Sequence, residues 1–289
     1  MKKLRSLSIL VLVLSSCTSV GGNGSEAIIG KDGTVTYGLY PQTYVSDSSI
    51  IEALGKLTAP KSNGWYLLNG EYYAKGVYPV YDSVGGYTSG ISFDDGTTIV
   101  QGTTYWFKCE PIRWKILSSS DGEYSLVSSV LLDVFLYYGY DYPTSEIRDW
   151  LNGDFYDSAF SLNDSLIETV TVDYPTSTSD DPGNRYAYES TEDKVYLLSY
   201  RDCAIPHYTQ LSETTVAYYT AEQCKTTDWA RVNGAYFNYD DPSVLYGAGW
   251  YWTRSSCYVN ECGRFVGLKD VAYCYHISAR PGITIKISR

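Results

Sequence analysis

The chain has 289 residues, with 22 Lys and Arg against 33 Asp and Glu, a net charge of −11 at neutral pH. That acidity argues against a nucleic-acid partner, whose phosphates require clustered basic side chains, and it keeps the chain itself off anionic lipid. The 31 Tyr and seven Trp favour strands and also make good contact residues on binding faces.

In chain order, the first element is an export signal. Lys2, Lys3 and Arg5 precede an apolar run from Leu7 to Leu14. That run falls short of the roughly 20 residues a membrane-crossing helix needs and fits the central region of a signal peptide. Leu14-Ser15-Ser16-Cys17 resembles the bacterial lipobox, whose cysteine is acylated and becomes the mature N-terminus. The resemblance implies a signal peptide over 1–16, lipid on Cys17 and a place on the cell membrane facing the extracytoplasmic side. Two or more acyl chains give stable attachment where one is marginal. Loss of 1–16 removes three basic residues and no acidic ones, leaving 19 against 33 and a net charge of −14. Gly21, Gly22, Gly24 and Ser25 make 17–30 a flexible tether, and residues 31–289 are expected to form a single domain.

Thr34 to Tyr37 is a short strand that Tyr40-Pro41 should end. Ser49 and Glu52 have the spacing of a capping box, with Leu54 and Leu57 following at helical intervals. Asn69-Gly70 between aromatic-rich arms predicts a hairpin from Trp65 to Ala74. Ile112, Trp114 and Ile116 alternate with polar residues, and Asp121-Gly122 turns that strand into Tyr124 to Val127. A helix is predicted over 144–152 with Ile147, Trp150 and Leu151 on one buried face and Gly153 as its stop. A second short helix is expected from Ser161 to Glu168, an exposed loop from Tyr174 to Tyr188, and a buried strand from Val195 to Leu198. Short strands close the chain around 250–253, 264–268 and 283–287. The fold class is α+β, mostly short antiparallel strands with a few short helices.

Five segments in this order resemble a bacterial domain of unknown function common in surface lipoproteins. They are Thr36 to Gln42, Pro111 to Leu117, Ile147 to Tyr156, Asp193 to Ser199 and Tyr251 to Ser255, closed by Arg280-Pro281. The closing pattern, Trp252-Thr253-Arg254-Ser255, then a strand and Arg280-Pro281, also resembles the C-type lectin-like fold. That group includes sugar and protein binders and the formylglycine-generating enzymes. The resemblance implies a C-type lectin-like domain; its function has to come from a site.

Candidate chemistry is sparse. A hydrolytic triad needs a base, and the only histidines are His207 and His276, with no Gly-x-Ser-x-Gly elbow. No carboxylate pair stands out from the acidic surface. Asn238-Tyr239-Asp240-Asp241 has oxygens for calcium, or is a solvated turn. Cys257, Cys262 and Cys274, near His276, read as disulfide partners in an oxidising compartment, with Cys109, Cys203 and Cys224 as further candidates. Zinc is disfavoured for want of Cys-x-x-Cys spacing. Cys257 and Cys262 also resemble the copper-binding pair of the formylglycine-generating enzymes, which implies an oxidase with Cu(I) on soft thiolates.

The expectation is a lipid-anchored, non-enzymatic surface module without a cofactor, binding a glycan or an extracellular protein. Tyr258, Phe265, Tyr273 and Tyr275 would present its ligand face. A copper-dependent oxidase using Cys257 and Cys262 and a structural envelope lipoprotein are the alternatives.

Overall fold

Strand β1 (Ile28–Ile29) pairs antiparallel with β2 (Thr34–Tyr44), Ile28 opposite Thr36. The computed structural model describes residues 24–58, 60–61, 63–78, 91–137, 141–174, 189–211, 214–255, 257–267 and 276–287. The expected signal peptide, residues 1–16, and Cys17 lie outside them. The end of the expected tether is held on the sheet: the Gly38 N–H donates to Gly24 O at 3.0 Å, and the Asn163 amide donates to Ser25 O at 2.8 Å. Backbone groups that find partners order a segment whose composition alone marks it as flexible.

β2 runs straight through Pro41 instead of ending there. The register against β5 (Thr104–Ser120) shifts between Thr36 and Leu39, where Gly38 has a φ of 75°, and again between Pro41 and Thr43, beside the missing N–H. Helix α1 (Ser48–Gly55) is capped by Asp47, which accepts from the N–H groups of Ser49 and Ile50 at 2.8 and 3.3 Å. The cap thus lies ahead of the Ser49–Glu52 box read from the sequence; the short Asp47 carboxylate on extended backbone reaches the first free donors.

The two predicted hairpins form. β3 (Tyr66–Leu68) meets β4 (Glu71–Val77) across Asn69-Gly70, with φ of 52° and 85°. β5 meets β6 (Glu123–Ser128) across Asp121-Gly122, with φ of 50° and 84°. Two consecutive left-handed residues match the twist of the strands they join. β7 (Asp133–Val134) follows.

Helix α2 (Glu146–Trp150) is capped by Ser145 and continues through a π segment (Leu151–Phe155) into α3 (Tyr156–Ala159). Gly153 is not the expected stop, since it does not take the left-handed backbone that ends a helix. Ser161 to Glu168 is turns, not a helix. β8 (Val170–Val172), β9 (Thr191–Asp193) and β10 (Val195–Leu197) lead to α4 (Tyr200–Cys203), and β11 (Ile205–Leu211) pairs with β12 (Thr214–Thr220). α5 (Asp228–Val232), β13 (Tyr251–Trp252), β14 (Cys257–Val259), β15 (Phe265–Gly267), β16 (Ser278–Ala279) and β17 (Pro281–Lys286) complete the described chain.

The class is α+β with mostly antiparallel strands. The main sheet runs β1-β2-β5-β6-β17-β10, with β4 on the far end of β5 and β3 beside β4. A second sheet, β15-β14-β13-β16-β7, is antiparallel except between β13 and β16. The α2–α3 helix covers the inner face of the main sheet, where Ile147, Leu151 and Phe155 pack with Trp114, Leu126, Val195 and Ile283. Trp114 is fully buried, stacks on Phe160 and donates its indole N–H to Tyr37 O at 2.8 Å. Trp150, expected to be buried, is half-buried between Phe135 and Phe155 at the margin of this core. No described helix is long and apolar enough to cross a membrane.

Candidate functional site

Strand β10 is the edge of the main sheet, and side chains close that edge. Asn152, carried by the π segment, donates to Val195 O at 2.9 Å and accepts from the N–H groups of Lys194 and Val195 at 2.8 and 3.2 Å. The Tyr142 hydroxyl accepts from the Leu197 N–H at 3.2 Å, and Arg254 Nη1 donates to Leu197 O at 2.7 Å. Arg148 reaches Asp193 at 2.7 Å, and the Ser255 hydroxyl accepts from the Tyr200 N–H at 2.8 Å. Edge peptide groups satisfied this way cannot template a further strand. The segments around Ile147, Asp193 and Trp252 therefore act as one lock.

Beside the lock lies a cleft of about 500 Å³ on the outer face of the sheet. Its floor follows from strand alternation. Ile283, Ile285 and Leu126 point inward and are fully buried, so Thr284 and Ser125 point outward. Ser118 pairs with Ser125 and Ser125 with Thr284, giving a row of hydroxyls across β5, β6 and β17. The Tyr196 hydroxyl lies 3.2 Å from that of Thr284 and 3.4 Å from that of Ser125. Gly282 makes room for the Tyr196 ring, which a Cβ there would meet at 3.0 Å.

The walls carry charge. β8, Asp173, Asp202 of α4 and Arg254 line the cleft. Asp202 belongs to a capping box with Ser199 and pairs with Arg254 Nη1 at 3.0 Å. Arg254 Nε is buried and makes no hydrogen bond. A buried donor without a partner costs about 1–3 kcal/mol; the Nη1 bonds to Leu197 O and Asp202 hold the guanidinium where it lies.

Of the residues expected to face a ligand, Tyr258 and Phe265 are described, and they are not brought together. Tyr258 pairs with Val266, and Val259 with Phe265, so Tyr258 and Phe265 lie on opposite faces of the β14–β15 hairpin. Phe265 packs against Tyr200 and the buried cluster around Leu131, whereas Tyr258 packs against Trp250 and Trp252. Tyr273, Tyr275 and Cys274 lie outside the described residues. The most exposed described tyrosines are Tyr239 and Tyr246.

Cys257 is buried with its sulfur 3.1 Å from the Thr253 hydroxyl. Cys262 is a half-buried free thiol on the following turn. Burial, then the charge of Glu261, pushes the Cys262 thiol up. Burial also raises Cys109 and Cys224 and pushes Cys203 up to about 12. Among the described residues, no three of His, Cys, Asp and Glu gather as metal ligands.

His276 is buried with Nδ1 2.8 Å from Gly234 O; the His207 side chain lies outside the described residues. In the loop proposed for calcium, Asn238 is turned inward. Its amide donates to Asp241 O and Val244 O, its carbonyl accepts from the Asp241 N–H, and Asp241 accepts from Ser243. Those atoms fold the loop itself.

One buried carboxylate escaped the sequence reading. Asp133 accepts from the Tyr40 hydroxyl, the indole of Trp229, the Asn233 amide and the Val134 N–H. Burial raises it despite those four donors. It joins β2, β7 and α5 and offers no open position.

These features define an α+β module with an open polar cleft on a closed sheet edge. The sequence model of a domain of unknown function, DUF6273, matches residues 133–287, and the chain belongs to that family. The match begins at β7, so the first two resembling segments, in β2 and β5, precede it. No curated protein and no solved structure matches the chain.

Proposed function

We propose that the protein is a non-enzymatic binding module with a C-type lectin-like fold, exported and held on the extracytoplasmic face of the membrane by lipid on Cys17. The ligand sits in the cleft between β8 and the Asp202–Arg254 pair. The observation carrying this reading is a cleft lined by charged and polar groups on a rigid frame: Asp173, Asp202 and Arg254 line it, and Leu197 O holds the Arg254 Nη1. Groups fixed before binding lose little freedom on association. The lectin-like reading is supported by the placement of Trp252 on the central strand of a small second sheet, with Thr253 to Ser255 directly after it. Early and late strands of the chain sharing one main sheet, as β2 and β17 do, agree with it.

A copper oxidase at Cys257 and Cys262 is the second reading, and it needs both thiols at one accessible site, whereas Cys257 is buried. Metal analysis giving stoichiometric copper would favour it.

Two measurements test the proposal on the full chain. Wild-type protein should partition into detergent, and Cys17→Ala into the aqueous phase; equal partition removes the lipid anchor. The detergent-solubilised protein should bind at least one member of a glycan array or an extracellular-protein array. Failure on both arrays leaves the structural envelope reading in its place.

A further inference from the structure

We infer that the cleft takes an extended polypeptide segment of another protein, which adds to the open edge of β8 as a further strand. The inference rests on the binding-module reading above and names the partner class of that site.

The pairing of β8 carries it. β8 runs antiparallel to β9, with Val170 opposite Asp193 and Val172 opposite Thr191, and no other described strand pairs with it. The Glu192 carbonyl points away from β8, since it accepts from Arg148 Nη2 at 3.4 Å. In an antiparallel pair, directly opposite residues either exchange both their backbone bonds or turn both away from each other. Thr171 is opposite Glu192, so its N–H and C=O point to the open side while Val170 and Val172 bond β9.

That open side faces the cleft. Val170, Thr171, Val172 and Asp173 all line it. A strand that turned one face to the cleft would contribute every second residue; four in succession mean that it stands edge-on. Both its faces are accounted for, with Val172 and Tyr174 buried on one and Thr171 and Asp173 exposed on the other. The edge is also fixed in place. Val172 and Tyr174 belong to the main core, Tyr174 packs on Tyr142, and the Tyr174 and Thr191 hydroxyls lie 3.1 Å apart.

The contrast with β10 selects the occupant. Asn152, Tyr142 and Arg254 close the β10 edge, whereas the Thr171 hydroxyl turns back to Glu192 at 2.6 Å and closes nothing. An open strand edge is a template for a further strand. A peptide backbone repeats donor and acceptor at the strand spacing and so fits such an edge; a sugar ring does not carry that repeat. The hydroxyls of Ser118, Ser125 and Thr284 then floor the site beneath the added chain. A volume of about 500 Å³ takes a short stretch of chain and excludes a folded domain.

The full-length, detergent-solubilised protein is screened against a library of random peptides. The tightest peptide is then remade with N-methyl groups on alternate residues, in each of the two phases. Thr171→Pro accompanies it, removing an N–H that the β8–β9 ladder does not use, at an edge position where proline is tolerated. Peptide binding is expected, weakened about tenfold or more by one phase of N-methylation and left unchanged by the other, because alternate N–H groups of an added strand face β8. Thr171→Pro should weaken the unmethylated peptide about as much. The Thr171 amide should exchange freely in the protein alone and become protected once peptide is bound. N-methylation alters the peptide alone, so it decides the question even where Thr171→Pro fails to fold. Binding that both phases affect alike, binding that a folded Thr171→Pro leaves unchanged, or a Thr171 amide already protected in the protein alone overturns the added strand. So does binding of oligosaccharides without any peptide. Each of these leaves the binding-module reading standing, whereas silence on peptide, glycan and protein arrays overturns both.

Discussion

Glu222 shows how one side chain ties distant strands to solution pH. It pairs with Lys115 on β5 and, at 2.7 Å, with Arg280 just before β17. Burial, the largest influence, raises its carboxyl, but the two hydrogen bonds and the two positive charges outweigh burial and hold it below the usual glutamate range. A carboxyl depressed in the folded state adds stability that is complete above its unfolded value, about 4.3. That stability is lost as the pH falls through the lower folded value. Glu222→Gln should therefore melt below wild type near neutral pH, and the gap should narrow from about pH 6 to about pH 3. A gap that stays constant in thermal melts over that range would show that the pair contributes no pH-dependent stability. Asp133 runs the other way: its value is raised, so ionisation works against the fold rather than for it.

For elements, the edge of β10 is the informative case. The sequence marks Val195 to Leu198 as a buried-type strand by composition alone. It does not say that the strand is an edge, nor that Asn152, about 40 residues earlier in the chain, closes it. The π segment is the reason. Its extra residue per turn keeps Leu151 and Phe155 in the core while Asn152 meets the Val195 peptide groups. Asn152→Ala should cost on the order of 2–4 kcal/mol in urea unfolding, because backbone groups of Lys194 and Val195 lose their partners. Asn152→Asp keeps the acceptor for both N–H groups but sets an oxygen against Arg148 O and Val195 O, so it should not restore wild-type stability. A loss under about 0.5 kcal/mol for the alanine variant would mean water replaces the amide without penalty. The same register logic separated Tyr258 from Phe265: a step of one residue in paired strands sends side chains to opposite faces.

Across the whole molecule, the family span and the preceding residues share one sheet. β17 and β10 belong to residues 133–287, yet β17 pairs with β6, and β6 with β5, which precede them. Trp114 of β5 joins the two parts, lying under Phe160 of the family span and bonded to Tyr37 of β2. Trp114→Ala should lower stability by roughly 3–5 kcal/mol, measured by chemical denaturation. A loss under about 1 kcal/mol would mean the core closes over the site.

Local chemistry was open to reading from the amino-acid order. Asn69-Gly70 and Asp121-Gly122 make hairpins because their backbone needs no distant partner to turn, and alternation in β5 put Trp114 in the core. Pro41 and Gly153 misled because a bulge and a continuing helix, both set by neighbours, overrode local preference. The cleft was beyond reach for the same reason. Ser118, Asp173, Asp202, Arg254 and Thr284 lie on five separate segments, and none is unusual where it stands. Strand pairing alone places their side chains around one volume, since which face a residue occupies depends on register between strands far apart in the chain.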